Sequence, residues 1–133
     1  MDTRILKPTQ EGIQLACEII SAGDVVAIPT ETVYGLFADA TKADACANIF
    51  KAKDRPQDNP LIVHISDYEM WQDTVAEIPE DAMKLAEAFW PGPLTIILKK
   101  KEIIPDEVTA GMDTVGIRMP SHPVVLEIIS KTR

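Results

Sequence analysis

The apolar residues of this 133-residue chain recur at spacings that alternate between helix-like and strand-like segments. Thr9 is a residue type that caps helix N-termini, and apolar residues follow it at helical spacing through about Ala22. Gly23 then ends this predicted helix. The run 25–28 is apolar on both faces, which predicts a strand in the interior of a sheet.

The same alternation continues over the rest of the chain. The further predicted elements are a helix that begins at Thr41 or Asp44 and carries Lys51 and Lys53 at its end, a strand over 61–65, a helix over 81–90, a strand over 94–98, a strand over 115–119 and a helix over 122–131. Because strands and helices alternate, we predict a single α/β domain with both faces of its sheet largely covered by helices. The connection 102–114 is long enough for antiparallel strands, so the strand directions stay open.

Charge changes this picture by indicating where an anionic ligand could bind. The chain has 13 basic and 21 acidic residues, a formal charge of −8, so most of its surface should repel a nucleic-acid backbone. The basic residues that do gather are Lys51, Lys53 and Arg55 in one cluster and 99–101 in another.

Composition excludes several classes of protein. No apolar run approaches the roughly 20 residues of a membrane span, and no apolar stretch follows a basic N-terminal region. Neither Cys17 nor Cys46 belongs to a CxxC pair, and the two histidines lack the HExxH spacing, so we expect no disulfide framework and no metal-binding side chains. We therefore expect a soluble, cytoplasmic domain.

The first polar cluster is 29–36, which directly follows the predicted interior strand. Ligands of open α/β sheets lie outside the carboxyl ends of strands, so Thr30, Glu31 and Thr32 could contact a small polar ligand. Alternatively, the threonine hydroxyls cap the backbone of a turn that begins at Pro29.

The second polar cluster contains Lys51, Lys53, Arg55 and Asn59, at a helix end that runs into a proline-stiffened loop. Lysine and arginine suit a polyphosphate, and an asparagine amide can hold a phosphate, a ribose or a base edge. Alternatively, these residues form a solvated helix end. The chain has neither a P-loop nor a dinucleotide-binding glycine motif.

Two further polar residues interrupt apolar strands. His64 is either a hydrogen-bonded core histidine or a ligand-binding residue. Arg118 requires an anionic partner, because burying an unpaired charge is costly, and that partner is a protein carboxylate or a ligand carboxylate. The segment 90–95, Trp-Pro-Gly-Pro-Leu-Thr, is better explained as a helix-to-strand corner.

Taken together, these segments resemble the YrdC family, the threonylcarbamoyl-AMP synthases of tRNA modification. The resemblance rests on Pro-Thr-Glu-Thr-Val-Tyr-Gly-Leu at 29–36, Lys-Ala-Lys-Asp-Arg-Pro at 51–56, Asn-Pro-Leu at 59–61, Trp-Pro-Gly-Pro-Leu-Thr at 90–95 and Gly-Ile-Arg-Met-Pro at 116–120. Five ordered motifs that span nearly the whole chain are far more specific than any one of them. The fold that the resemblance implies is a twisted mixed α/β sheet around a deep, positively lined cavity.

The family's reaction joins L-threonine, bicarbonate and ATP into L-threonylcarbamoyladenylate and releases pyrophosphate, with Mg²⁺ accompanying ATP. Other tRNA-modification proteins then transfer the threonylcarbamoyl group to a tRNA adenosine. The resemblance thus implies a nucleotidyltransferase that has these small-molecule substrates and protein partners, and that binds tRNA weakly if at all.

The resemblance also implies roles for particular residues. On the threonine side, Thr32 and His64 would contact the amino acid, and Arg118 would pair with its carboxylate.

On the nucleotide side, Arg55, Asn59 and Thr114 would hold ATP, with Lys53 near its phosphates. Lys53 and Arg55 would be the catalytic residues, because the protein mainly has to align two anions and offset their repulsion.

One feature departs from the family pattern: a Ser-x-Asn motif, normally found in a later part of the domain, is absent from these 133 residues. We therefore expect residues 1–133 to form a C-terminally incomplete YrdC-like domain. The alternative function is a non-catalytic module that binds nucleotide or RNA. A third possibility, part of a hydrogenase-maturation carbamoyltransferase, ranks last because the cysteine-rich zinc motifs of those proteins are missing.

Overall fold

The computed structural model describes residues 3–30, 33–53 and 60–132. Its elements are α1 (Gln10–Ser21), β1 (Val26–Pro29), β2 (Tyr34–Phe37), α2 (Ala43–Lys53), β3 (Ile62–His64), α3 (Tyr68–Thr74), α4 (Glu80–Phe89), β4 (Ile96–Lys99), α5 (Asp106–Thr109), β5 (Thr114–Arg118) and α6 (Pro123–Thr132). Within those ranges, no helix has both the length and the apolar character that crossing a membrane requires.

The described strands form two small sheets. Strands β1 and β2 form an antiparallel hairpin in which Val26 pairs with Phe37. The second sheet has the order β3-β5-β4, with β3 parallel and β4 antiparallel to β5. The α/β class and the mixed strand directions are thus confirmed, and the long connection before β5 does join antiparallel strands.

Each element predicted from the pattern is present, with its ends shifted by a residue or two. Thr9 caps α1 by accepting a hydrogen bond from the amide of Gly12 at 3.2 Å, and Gly23 ends the helix with a φ of 91°. The prediction for β1 was wrong in one respect. Ala27 is exposed, so the strand is not buried on both faces.

Two clusters of buried side chains form the core. In the first, α1 and α6 pack against the hairpin through Ile13, Ile20, Ile28, Val125 and Ile128, among others.

The second cluster lies against the β3-β5-β4 sheet. It centres on Trp71 of α3 and Trp90 after α4, whose rings meet edge to face with centroids 4.6 Å apart. Strand β5 contributes the buried Val115 and Ile117 to this cluster.

The two faces of this sheet differ because side chains alternate along a strand. Val115 and Ile117 point into the core, whereas Gly116 and Arg118 lie on the other face and are half-buried. Ile62 and Ile97, which pair with Gly116 from either side, are 43% and 66% exposed. We call the face that carries His64, Gly116 and Arg118 the open face.

Candidate functional site

A cavity of about 510 Å³ lies between the hairpin, α2, β3 and the end of α6. Its size is within the range typical of small-molecule sites. Most of the described residues that line it are apolar. The charged residues and the histidine among them are Asp39, Lys53, His64 and Arg118.

His64 and Arg118 are brought side by side by the strand register. His64 pairs with Arg118 across β3 and β5, so their Cα atoms are about 4.8 Å apart, the ordinary spacing of neighbouring strands. Thr95, one residue before β4, continues the same row on the other side of Arg118. The structure therefore unites the two described residues that the resemblance assigns to threonine.

The Arg118 guanidinium is held by a hydroxyl group. Its Nε and Nη2 atoms both donate to Thr95 Oγ1, at 3.0 and 2.9 Å. Over residues 3–30, 33–53 and 60–132, no carboxylate forms an ion pair with Arg118. Among the described residues, the hydrogen-bond partner of the Arg118 guanidinium is thus the Thr95 hydroxyl.

The helix-to-strand corner formed by residues 90–95 supports the row of side chains His64, Arg118 and Thr95. Trp90 Nε1 donates to the carbonyl of Leu94 at 2.8 Å, and the amide of Gly92 donates to the carbonyl of Met119 at 2.8 Å. The second bond ties the corner to the residue that follows Arg118. The architectural interpretation of this motif is thus supported, but the sequence reasoning missed the contact of Thr95 with Arg118.

His64 is half-buried, and its ring packs edge to face on Phe37 of the hairpin, with centroids 4.8 Å apart. This contact fixes the plane of the ring beside the cavity. The imidazole is thus neither an ordinary core histidine nor a fully exposed one, and it lines the space that Arg118 also lines.

The other predicted site residues differ in how far the structure places them. Lys53 ends α2, is exposed and lines the cavity. Thr114 begins β5, four residues before Arg118 and therefore about 13 Å along the strand at ~3.3 Å per residue. It does not line the cavity, so the structure does not bring it to the other residues.

Thr32, Arg55 and Asn59, together with Glu31, lie outside the described residues. For Thr30, the turn interpretation is supported. Its hydroxyl donates to the carbonyl of Val33 at 2.6 Å and accepts from the amide of the same residue at 3.3 Å.

The second lysine cluster has structural partners. Lys100 Nζ donates to the carbonyl of Ile104 at 2.6 Å, and Lys101 Nζ donates to the carbonyl of Gln72 at 2.6 Å. These contacts hold the turn after β4 and the end of α3, so Lys100 and Lys101 contribute to the fold.

Comparison with known proteins decides the family. The family model for Sua5, YciO and YrdC proteins, described as Telomere recombination, matches residues 18–133. The chain belongs to this family.

Curated members of the Sua5/YciO/YrdC family are similar over most of the chain. A Pyrococcus abyssi protein named Threonylcarbamoyl-AMP synthase is 51% identical over 117 residues, which are 88% of this chain and 34% of that protein. A Bacillus subtilis protein of the same name is 49% identical over 121 residues, 90% of this chain and 35% of that protein. The chain thus spans about a third of the length of these relatives.

A solved structure of the family has the same fold. The crystal structure of Pyrococcus abyssi Sua5 complexed with L-threonine superimposes with a TM-score of 0.91 at 48% identity. The match covers 98% of this chain and 37% of that one. The YrdC-like fold predicted from the motifs is therefore confirmed.

The two cysteines of this family member are buried, which predicts how they respond to pH. Burial raises the pKa of the Cys46 thiol from 9.0 to about 11, and Asp39 and Glu107 add to the rise. Burial also raises the pKa of Cys17. Since thiol reagents attack the thiolate, we expect almost no alkylation of the folded chain by iodoacetamide at pH 8, with Cys46 reacting only as the pH approaches 11.

The same shift affects stability at alkaline pH. The folded state favours the protonated Cys46 thiol, so this contribution is complete below pH 9.0 and is lost as the pH rises to about 11. A Cys46→Ala variant, which has no thiol to titrate, should lose less stability over that interval. Rapid alkylation of the folded chain at pH 8, at the rate found in urea, would contradict the assignment.

Proposed function

We propose that this chain carries the threonine side of a threonylcarbamoyl-AMP synthase site. The reaction would join L-threonine, bicarbonate and ATP into L-threonylcarbamoyladenylate and pyrophosphate, for the modification of tRNA adenosine. Two lines of support meet here: curated relatives at 51% and 49% identity bear that enzyme name, and a related structure is described as a complex with L-threonine.

One observation carries the proposal. Arg118 is a half-buried arginine that the Thr95 hydroxyl holds beside His64, in a cavity of about 510 Å³. A half-buried guanidinium is best stabilised by an anion that binds it through two parallel hydrogen bonds, and an amino-acid carboxylate does so. In the proposed complex, Arg118 binds the threonine carboxylate, and His64 and Thr32 contact the rest of the amino acid.

The balance of charge around the cavity supports anionic substrates. Asp39 is the one carboxylate among the described lining residues, and its Oδ1 already accepts hydrogen bonds from the amide and hydroxyl of Thr41. Lys53 and Arg118 supply the fixed positive charges there. An acidic chain that nevertheless places two cations at one cavity offers an electrostatic focus for anions.

The chemistry needs alignment more than a protein nucleophile. The threonine amine forms a bond to the bicarbonate carbon and water leaves, which gives a carbamate, and a carbamate oxygen then forms a bond to the α-phosphorus while the bond to pyrophosphate breaks. Lys53 and Arg55 would offset the repulsion between carbamate and phosphates, and Asn59 would hold the nucleotide. Thr114, about 13 Å along β5 from Arg118, would contact ATP only at a part of the nucleotide far from the carbamate.

ATP would enter as its Mg²⁺ complex. Within the part of the chain that the structure describes, no group of three His, Cys, Asp or Glu side chains could hold a metal ion. Mg²⁺ commonly keeps water and phosphate oxygens as ligands, so this donor set does not oppose a magnesium ion that arrives with ATP. The tRNA-modification partners and a cytoplasmic location belong to the same proposal.

A product assay tests the function. The 133-residue chain is incubated with ATP, Mg²⁺, bicarbonate and L-threonine, each omitted in turn, and the mixture is analysed by mass spectrometry. Threonylcarbamoyladenylate that forms only in the complete mixture, and not with Arg118→Ala, would support the synthase. ATP binding by calorimetry without product, even in a chain extended to the length of its relatives, would favour the non-catalytic nucleotide-binding module instead.

The two lysines at the end of α2 provide a matched test of the nucleotide side. Both are exposed, but only Lys53 lines the cavity. We expect Lys53→Ala to weaken ATP binding by roughly 3- to 10-fold, since an exposed charge contributes modestly. Lys51→Ala removes the same charge and should change ATP affinity less than twofold. Calorimetry at low and high salt checks both, and equal losses would remove Lys53 from the site.

A further inference from the structure

We infer that Thr95 is a positioning residue for Arg118 and that Gly116 provides the space it occupies. This inference deepens the proposed function and rests on it for the identity of the ligand. Its structural part, the orientation of the guanidinium, depends only on the geometry of the open face.

The first step concerns the edges of the guanidinium. Thr95 Oγ1 accepts from Nε and Nη2, the two nitrogens that form the side-on edge of the group. Arginine binds a carboxylate through two parallel N–H donors, and the end-on edge formed by Nη1 and Nη2 still has such a pair. Thr95 thus occupies one edge and leaves the other for a ligand carboxylate.

The second step concerns the reach of Thr95. It lies opposite Arg118 in the antiparallel register of β4 and β5, with its methyl group over Gly116. A Cβ atom at Gly116 would lie 3.0 Å from Thr95 Cγ2, closer than ordinary carbon contacts allow, and 3.9 Å from Ile97 Cγ1. The missing side chain at Gly116 therefore lets Thr95 reach the arginine.

The third step concerns the backbone of β5, whose conformation at position 116 does not require a glycine. The residues with positive φ are Gly23, Ala110 and Gly111, in the described parts of the chain, so alanine at position 116 meets only the steric contact. Gly→Ala in a strand is otherwise neutral or favourable. A loss of function in Gly116→Ala would thus report on Thr95.

The variants separate the effect of the Thr95 hydroxyl group from the effect of the shape of its side chain. Thr95→Val keeps the shape and removes the acceptor, whereas Thr95→Ser keeps the acceptor and removes the methyl group. Gly116→Ala pushes the methyl group away from its site. The double variant Thr95→Ser/Gly116→Ala should recover what Gly116→Ala loses, because serine has no Cγ2 for the new Cβ to contact.

The first readout needs no ligand. The Nε–H signal of Arg118 in a ¹⁵N-labelled chain, assigned by its loss in Arg118→Ala, reports the hydrogen bond to Thr95. We expect its exchange with water to be roughly tenfold faster in Thr95→Val and Gly116→Ala, the effect of losing one hydrogen bond, and near wild type in Thr95→Ser and the double variant. Unchanged exchange in Thr95→Val would overturn the inference.

The second readout is L-threonine affinity by calorimetry. We expect Thr95→Val to weaken binding roughly tenfold and Thr95→Ser to bind within twofold of wild type. If the unaltered chain and an extended chain bind no threonine, the proposed function fails while the Nε–H exchange still decides the positioning role. Wild-type affinity in Thr95→Val with faster exchange would overturn the functional part alone. Thermal unfolding of each variant shows that it is folded.

Discussion

The Arg118→Ala variant is expected to bind L-threonine roughly 100-fold more weakly than the unaltered chain, the effect of removing one partner of a desolvated charge pair. Its affinity for ATP should change less than threefold, because the proposed partner of Arg118 is the amino-acid carboxylate. Calorimetry with each ligand separately measures both effects. Equal losses of threonine and ATP affinity would contradict this division of the site.

A conservative variant and an altered ligand sharpen this test. Arg118→Lys keeps the charge but loses the two-donor edge that matches a carboxylate, so we expect an intermediate loss. L-threoninol, in which a hydroxymethyl group replaces the carboxylate, should bind the unaltered chain as weakly as threonine binds Arg118→Ala. In Arg118→Ala the two ligands should bind alike. A variant that still prefers threonine over threoninol would show that another group recognises the carboxylate.

The open face shows how far the sequence could predict this site. Arg118 interrupts an apolar strand, and burial energetics alone predict that it needs an anionic partner. The alternation of side chains along β5 places Arg118 and Gly116 on one face, so that much follows from period-two spacing. That His64 lies beside Arg118 could be predicted only from the register in which β3 pairs with β5, and the local sequence pattern does not encode that register.

Thr95 illustrates what pattern reasoning could not supply. Its contact with Arg118 spans 23 residues and depends on β4 running antiparallel to β5. The length of the connection 102–114 is compatible with either a parallel or an antiparallel arrangement of these two strands. The antiparallel register of β4 and β5 puts position 95 opposite Arg118.

The sequence pattern does not predict β2, α3 and α5, and the reason in each case is local. The pattern does not predict strand β2, because most of its four residues belong to the polar cluster 29–36 and include an exposed tyrosine and a glycine. Helix α3 has only seven residues, although Asp67 caps it by accepting from the amide of Met70 at 2.8 Å. A four-residue helix such as α5 leaves almost no periodic signal.

The alternation along β5 leads to a second large effect, at the residue next to Arg118. Ile117 is fully buried and pairs with Val63 on one side and Ile96 on the other, within the cluster that contains both tryptophans. We expect Ile117→Ala to lower the free energy of unfolding by about 2–5 kcal/mol, through lost transfer energy and the cavity left behind. Ile117→Val, the matched control, should cost about 0.5–1.5 kcal/mol.

Urea unfolding followed by tryptophan fluorescence measures these losses, because Trp71 and Trp90 both belong to the cluster around Ile117. Arg118→Ala, one residue further along the same strand, should unfold within about 1 kcal/mol of the unaltered chain, since a half-buried side chain held by a hydroxyl contributes little to stability. Ile117→Val should retain threonine affinity. We therefore expect Ile117 to contribute mainly to folding stability and Arg118 mainly to ligand binding. A large stability loss in Arg118→Ala together with a small one in Ile117→Ala would mean that the two faces have been assigned the wrong way round.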